Sequence, residues 1–123
     1  MGAAAHALLS ASSAHRWLVC TAAPKFEATF PDTTSEYARE GTLAHEICEL
    51  KLTKYATTMA RGTYTKKLNA LKKHELYRPD MLEMSEAYLD YIKSVALSYP
   101  TAPAIAIERR VNFSEYAPEG FGT

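Results

Sequence analysis

The stretch Asp80-Met-Leu-Glu-Met-Ser-Glu-Ala-Tyr-Leu-Asp-Tyr-Ile-Lys-Ser-Val-Ala-Leu-Ser98 decides the fold class. Met81, Met84, Tyr88, Tyr91, Ile92 and Val95 recur at intervals of three and four, which puts them on one face of an α-helix. Asp80, after Pro79, is read as the N-terminal cap and Pro100 as the stop, so the spacing predicts a helix over about 80–98. The stripe reads as core; the other use for such a face is burial in a partner's groove.

Working towards the N-terminus, Gly41-Thr42 precedes Leu43, Ile47 and Leu50 at helical intervals, which predicts a helix over about 42–57. Thr33 and Glu36 have capping-box spacing. Ser10 and Ser12 are candidate caps for a helix over about 10–20 that carries Trp17 and Leu18 inward and is stopped by Pro24. Phe26 to Thr34 reads as a loop, and a further helix is expected over about 66–74. Towards the C-terminus the period changes to two. Ile105, Ile107, Arg109, Val111 and Phe113 share a face, which predicts a β-strand over about 104–113, followed by a turn at Pro118-Glu119-Gly120. That strand has no obvious partner in the sequence, so its edges invite a homodimer or an added strand.

The expected architecture is a single domain, 1–123, mainly α with a short β element. With 14 basic and 14 acidic residues the formal net charge is zero, which argues against a histone-like or polybasic nucleic-acid binder. The 47% hydrophobic and 23% charged composition is that of a globular chain, and its apolar runs are too short to span a bilayer. Ser10, Ser12, Ser13, His15 and Arg16 interrupt any signal-peptide core in the first residues, so a cytoplasmic location is expected and Cys20 and Cys48 are read as reduced thiols.

Two groups of residues are candidates for chemistry. His45, Cys48 and Glu49 lie at i, i+3 and i+4 of the predicted 42–57 helix; with Cys20, and with His15 five residues before it, the set could supply four nitrogen and sulfur ligands, which suits tetrahedral zinc better than the oxygen-lined shells of magnesium or calcium. The alternative is a buried Cys48 and a hydrogen-bonded His45. His45-Glu46 is half of a His-Glu-x-x-His motif, but Glu49 stands where the second His belongs, which excludes a zinc protease of that type. The second group is basic: Lys51, Lys54, Arg61, Lys66, Lys67, Lys72 and Lys73 follow one another without an intervening acid. It reads either as a solvated helix face or as a surface for phosphates or an acidic partner; with only Tyr55 and Tyr64 among them, stacking on a single strand has weak support.

Four segments taken together, Ser10-Ala-Ser-Ser-Ala-His-Arg-Trp-Leu-Val-Cys20, Pro31-Asp-Thr-Thr-Ser-Glu-Tyr-Ala-Arg-Glu-Gly-Thr-Leu-Ala-His-Glu46, Ile107-Glu-Arg-Arg-Val111 and Tyr116-Ala-Pro-Glu-Gly-Phe-Gly-Thr123, resemble the N-terminal part of a phage and prophage family. That family is RecB-like, of the PD-(D/E)XK nuclease superfamily, and was long described only as a domain of unknown function. The resemblance implies a helical N-terminal region leading into a mixed sheet that supports metal-dependent DNA cleavage. His45 resembles the metal-binding histidine of such nucleases, and Cys20 resembles the first cysteine of the iron–sulfur cluster of some relatives. The family pattern continues past Gly-Thr with Ala-Asp, the Asp being the first catalytic carboxylate, and then a Glu-x-Lys and further cysteines. This sequence stops at Thr123.

Metal-assisted phosphodiester hydrolysis needs carboxylates to hold the cation, which one histidine does not replace. Two cysteines likewise fall short of the four thiolates of an iron–sulfur cluster, so none is expected. The leading expectation is therefore a catalytically incomplete RecB-like derivative of a phage or mobile element that acts by binding. Its partner would be a host defence nucleoprotein, in concrete form a CRISPR effector blocked by an anti-CRISPR protein. The alternative is the front of a longer DNA exonuclease, with magnesium or manganese belonging to that longer protein.

Overall fold

The computed structural model describes residues 7–31 and 33–122. It is mainly helical, with a small antiparallel sheet. The helices are α1 (Ala14–Trp17), α2 (Ala23–Glu27), α3 (Glu36–Ala56), α4 (Arg61–Lys72) and α5 (Asp80–Leu97), and the strands are β1 (Val111–Asn112) and β2 (Phe121–Gly122). The chain divides into two compact units: Thr34–Ile107, and a second that joins Met1–Thr33 to Glu108–Thr123.

The unit Thr34–Ile107 is a three-helix arrangement in which α3 packs mainly on α5 and also on α4. Helix α3 starts at Glu36, well ahead of the expected Thr42. Ser35 is the effective cap, its Oγ accepting from the Ala38 N–H at 3.1 Å, and Thr42 lies inside the helix, its hydroxyl donating to the Ala38 carbonyl at 2.9 Å. Helix α4 likewise starts earlier than the predicted 66–74. For α5 the expected span holds, but Pro79 occupies the cap position and Asp80 makes no capping bond. The Asp80 carboxylate instead receives the Arg78 guanidinium at 3.2 and 3.3 Å, at a helix start where negative charge is favoured.

Leu43 and Ile47 of α3 and Met81 of α5 form the buried centre, with Leu68 and Leu71 of α4 and Leu76, Tyr77 and Leu82 packed against it. Burying one such side chain contributes about 1.5–3 kcal/mol. The inner stripe of α5 is Met81, Ser85 and Leu89, one residue per turn, and not the expected Met81, Met84, Tyr88, Tyr91, Ile92, Val95 series. Ser85 is fully buried because its hydroxyl is satisfied within the helix, donating to the Leu82 carbonyl at 2.7 Å. Lys51 of α3 meets Glu86 and the Leu82 carbonyl, and Lys93 lies over Tyr55. Later residues of α3 thus meet later residues of α5, so the two helices run in the same sense.

In the other unit the expected 10–20 helix is divided. Ser10 caps a 3₁₀ turn over Ala11–Ser13, α1 ends at Trp17, and Leu18 is exposed instead of turned inward. The Trp17 indole N–H donates to the Ser10 carbonyl at 2.9 Å and closes this turn. Pro24 starts α2 instead of stopping a helix, since a proline in the first turn loses no hydrogen bond. Phe26 and Phe30 meet edge to face with centroids 5.1 Å apart.

The expected strand over 104–113 is confined to Val111–Asn112, and it has a partner: Val111 pairs with Gly122 and Asn112 with Phe121. The turn between them requires Gly120, where a Cβ would lie 2.5 Å from a Phe113 ring carbon and 2.8 Å from the Ala117 carbonyl oxygen. Arg110 sits over the Phe121 ring, 3.6 Å from its centroid.

Candidate interaction surface

The basic residues that the sequence places in one run are separated by the fold. Lys51 continues the inner stripe of α3 at i+4 from Ile47, so its ammonium is buried; it donates to the Leu82 carbonyl at 3.3 Å and forms an ion pair with Glu86. Lys54 donates to the Met59 carbonyl at 2.5 Å, holding the connection that follows α3. Lys51 is thus buried and Lys54 half-buried, and neither lies on the exposed surface of α4 that carries the other five. Arg61, Lys66, Lys67, Lys72 and Lys73 are exposed. Tyr64, Leu68 and Leu71 are the half-buried positions of α4, and a 100° step per residue puts Lys66 and Lys73 opposite them. Lys67 lies on one flank and Arg61 and Lys72 on the other, so these five charges surround α4 without forming a stripe.

Lys67 does take part in a local arrangement. It lines a cleft of about 520 Å³ between α3 and α4, together with Glu46, Glu49, Leu50, Met59 and Leu71. Glu49, expected as a metal ligand, faces this cleft. A second cleft, of about 260 Å³, lies at the end of the three-helix unit where Lys51, Lys54 and Tyr55 of α3, Tyr64 of α4, and Glu86, Leu89 and Lys93 of α5 meet. The Lys93 ammonium is 5.5 Å from the centre of the Tyr55 ring. Burial and the nearby Glu86 carboxylate both push the Tyr64 phenol above its ordinary value, so at neutral pH it is a protonated donor. Lys93 escaped the sequence reading because it stands alone among acidic and apolar residues, far along the chain from the basic run. Only the packing of α5 on α3 brings it to Lys51 and Lys54.

Among the described residues no three His, Cys, Asp or Glu side chains come together in a group able to hold a metal ion. His15 and Cys20 are exposed residues of the unit containing the strands, whereas His45, Cys48 and Glu49 are on α3 of the helical unit. On α3 itself His45 is on the exposed side and Cys48 turns partly inward. Burial pushes the Cys48 thiol above its ordinary value, and the charge of Lys51 offsets part of that rise. Helical spacing is thus insufficient here, because zinc needs donors from several directions.

Helix α5 also carries an exposed apolar stripe. Met84, Tyr88, Tyr91 and Val95, at 66%, 40%, 68% and 40% exposure, form a stripe beside the packed Met81, Ser85 and Leu89 stripe. Four of the six residues expected in the core are therefore on an open flank. The apolar arc of α5 is wider than the part that α3 and α4 cover, which periodicity alone does not reveal. No helix among the described residues is long and apolar enough to cross a membrane.

No solved structure matches the chain. The profile of one protein family, described as "Protein of unknown function (DUF2800)", matches residues 6–123. That match extends over nearly the whole sequence, both units included, and the chain belongs to this family.

Proposed function

We propose that the chain is a binding protein built on the helical N-terminal region of a RecB-like phage protein, and that it engages a protein partner without cutting DNA itself. The observation that carries this reading is the open flank of α5. Met84, Tyr88, Tyr91 and Val95 repeat at four, three and four residues on a helix whose inner face is already packed. That spacing suits the apolar stripe of an amphipathic helix, and tyrosine and methionine are enriched at such contacts. On the RecB-like side, the residue matched to a nuclease role is His45, and one histidine by itself does not hold a catalytic cation for phosphodiester cleavage.

In its concrete form the partner is a CRISPR effector in the bacterial cytosol, and the chain acts as its inhibitor. The experiment is an effector cleavage assay with purified chain added, repeated with Tyr88→Ser and Tyr91→Ser together. Inhibition that the double variant loses while keeping its helical circular dichroism supports the reading. No inhibition, or inhibition unaffected by the variant, defeats it. A magnesium and manganese DNA-cleavage assay on the same sample tests the non-cutting half of the proposal, and elemental mass spectrometry tests whether zinc is bound.

A second reading, the front of a longer metal-dependent DNA exonuclease, is favoured by the β1–β2 ladder. Two strands of two residues each are too small to be stable alone and belong naturally to a larger sheet. The genomic reading frame beyond Thr123 separates the two. A stop codon favours the binding protein, and continuation into Ala-Asp with a downstream Glu-x-Lys favours the enzyme.

A further inference from the structure

We propose that the cleft lined by Lys51, Lys54, Lys93, Tyr55 and Tyr64 is a binding site for a phosphate-bearing anion. Three ammonium groups and one carboxylate face this space, leaving an excess of positive charge in a cavity of about 260 Å³. Glu86 is committed to Lys51. Among the described residues Lys54 has the Met59 carbonyl as its polar partner and Lys93 has the Tyr55 ring. Neither contact is with a carboxylate, and an ammonium has three donors, so both lysines keep donors for a ligand. The Tyr64 hydroxyl adds a neutral donor, and Leu89 and the tyrosine rings form an apolar wall on which the rest of a phosphate ester can lie.

The arrangement is built into the fold. Lys51 is almost fully buried and tied to Glu86 and to the Leu82 carbonyl, which fixes one wall. Lys93 follows the buried Ser85 and Leu89 at the next turn of α5, and Lys51 and Tyr55 follow Ile47 in the same way on α3. Each helix therefore carries its core stripe into this cleft, and the stripe becomes cationic there. The site is separate from the open flank of α5 and stands independently of the partner proposed above.

The test uses the full chain and two probes, inorganic phosphate and a single-stranded oligodeoxynucleotide, in titration calorimetry and thermal melting at constant ionic strength. Phosphate raises the melting temperature where chloride does not, and Lys54→Met and Lys93→Met each weaken binding by about tenfold or more, the loss expected for one hydrogen bond to a charged group. Lys93→Arg retains binding, and the Tyr88→Ser, Tyr91→Ser double variant leaves it unchanged. Preference for inorganic phosphate assigns the site to a small phosphate, and preference for the oligonucleotide, with the same loss in the lysine variants, assigns it to a polynucleotide backbone. An equal response of the wild type and of a folded Lys54→Met, Lys93→Met variant to both probes, or no binding of either probe, overturns the proposal.

Discussion

Replacing Glu86 by Gln removes the carboxylate that faces the most buried charge among the described residues. Lys51 is 5% exposed, and its ammonium is held by Glu86 and the Leu82 carbonyl. A fully buried ion pair that loses one partner costs about 3–5 kcal/mol. Here the Glu86 side chain is 60% exposed, so water reaches the ammonium from that side and screens the pair. Gln also keeps an acceptor for the ammonium. The expected cost of Glu86→Gln is therefore about 1–2 kcal/mol, or roughly 3–10 °C in melting temperature for a chain of this size. Lys51→Met removes the charge but keeps the unbranched stem in its apolar surroundings, so its expected cost is smaller, within about 1 kcal/mol. Urea unfolding of the wild type, both single variants and the double variant gives the coupling energy directly, expected at about 1–2 kcal/mol. If Glu86→Gln melted like the wild type, or Lys51→Met cost more than Glu86→Gln, the view of Lys51 as a buried charge dependent on Glu86 would be refuted.

Two further predictions test the packing. Met81→Ala, at the buried centre, should cost about 2–4 kcal/mol, whereas Met84→Ala on the open flank of the same helix should stay within about 0.5 kcal/mol; denaturant titration of the pair decides whether α5 is oriented as described. Alkylation of the thiols at pH 8, followed by peptide mass spectrometry, should modify exposed Cys20 before Cys48, because burial holds the Cys48 thiol above its ordinary value of 9.0 and lowers its reactive thiolate fraction. The sign is definite: a thiol raised in the folded state contributes stability that is present below pH 9 and lost above it, so Cys48 labelling should continue to accelerate beyond pH 9, where the fold loses this contribution.

The mainly helical class, the existence of α3 and α5, and the turn at Pro118-Glu119-Gly120 were legible in the amino-acid sequence. These follow from local physics: a 3.6-residue period, proline stops, and the steric demands of a tight turn. The start of α3 was not legible, because Thr33 and Gly41-Thr42 look like caps, while the residue whose hydroxyl actually captures a helical N–H is Ser35. Tertiary structure decided the rest. Periodicity gives a helix an apolar arc but not which part of it neighbours cover, and so Met84, Tyr88, Tyr91 and Val95, expected in the core, form an open flank. Spacing places His45, Cys48 and Glu49 close together along α3, yet a metal needs donors converging from several elements, and among the described residues that convergence is absent. Conversely, the cleft of Lys51, Lys54 and Lys93 joins residues far apart in the chain, and Lys93 becomes part of it only because α5 runs alongside α3 in the same sense. Local pattern specifies what each helix is, whereas the sites arise where side chains from different helices meet, and that depends on the packing of the whole unit.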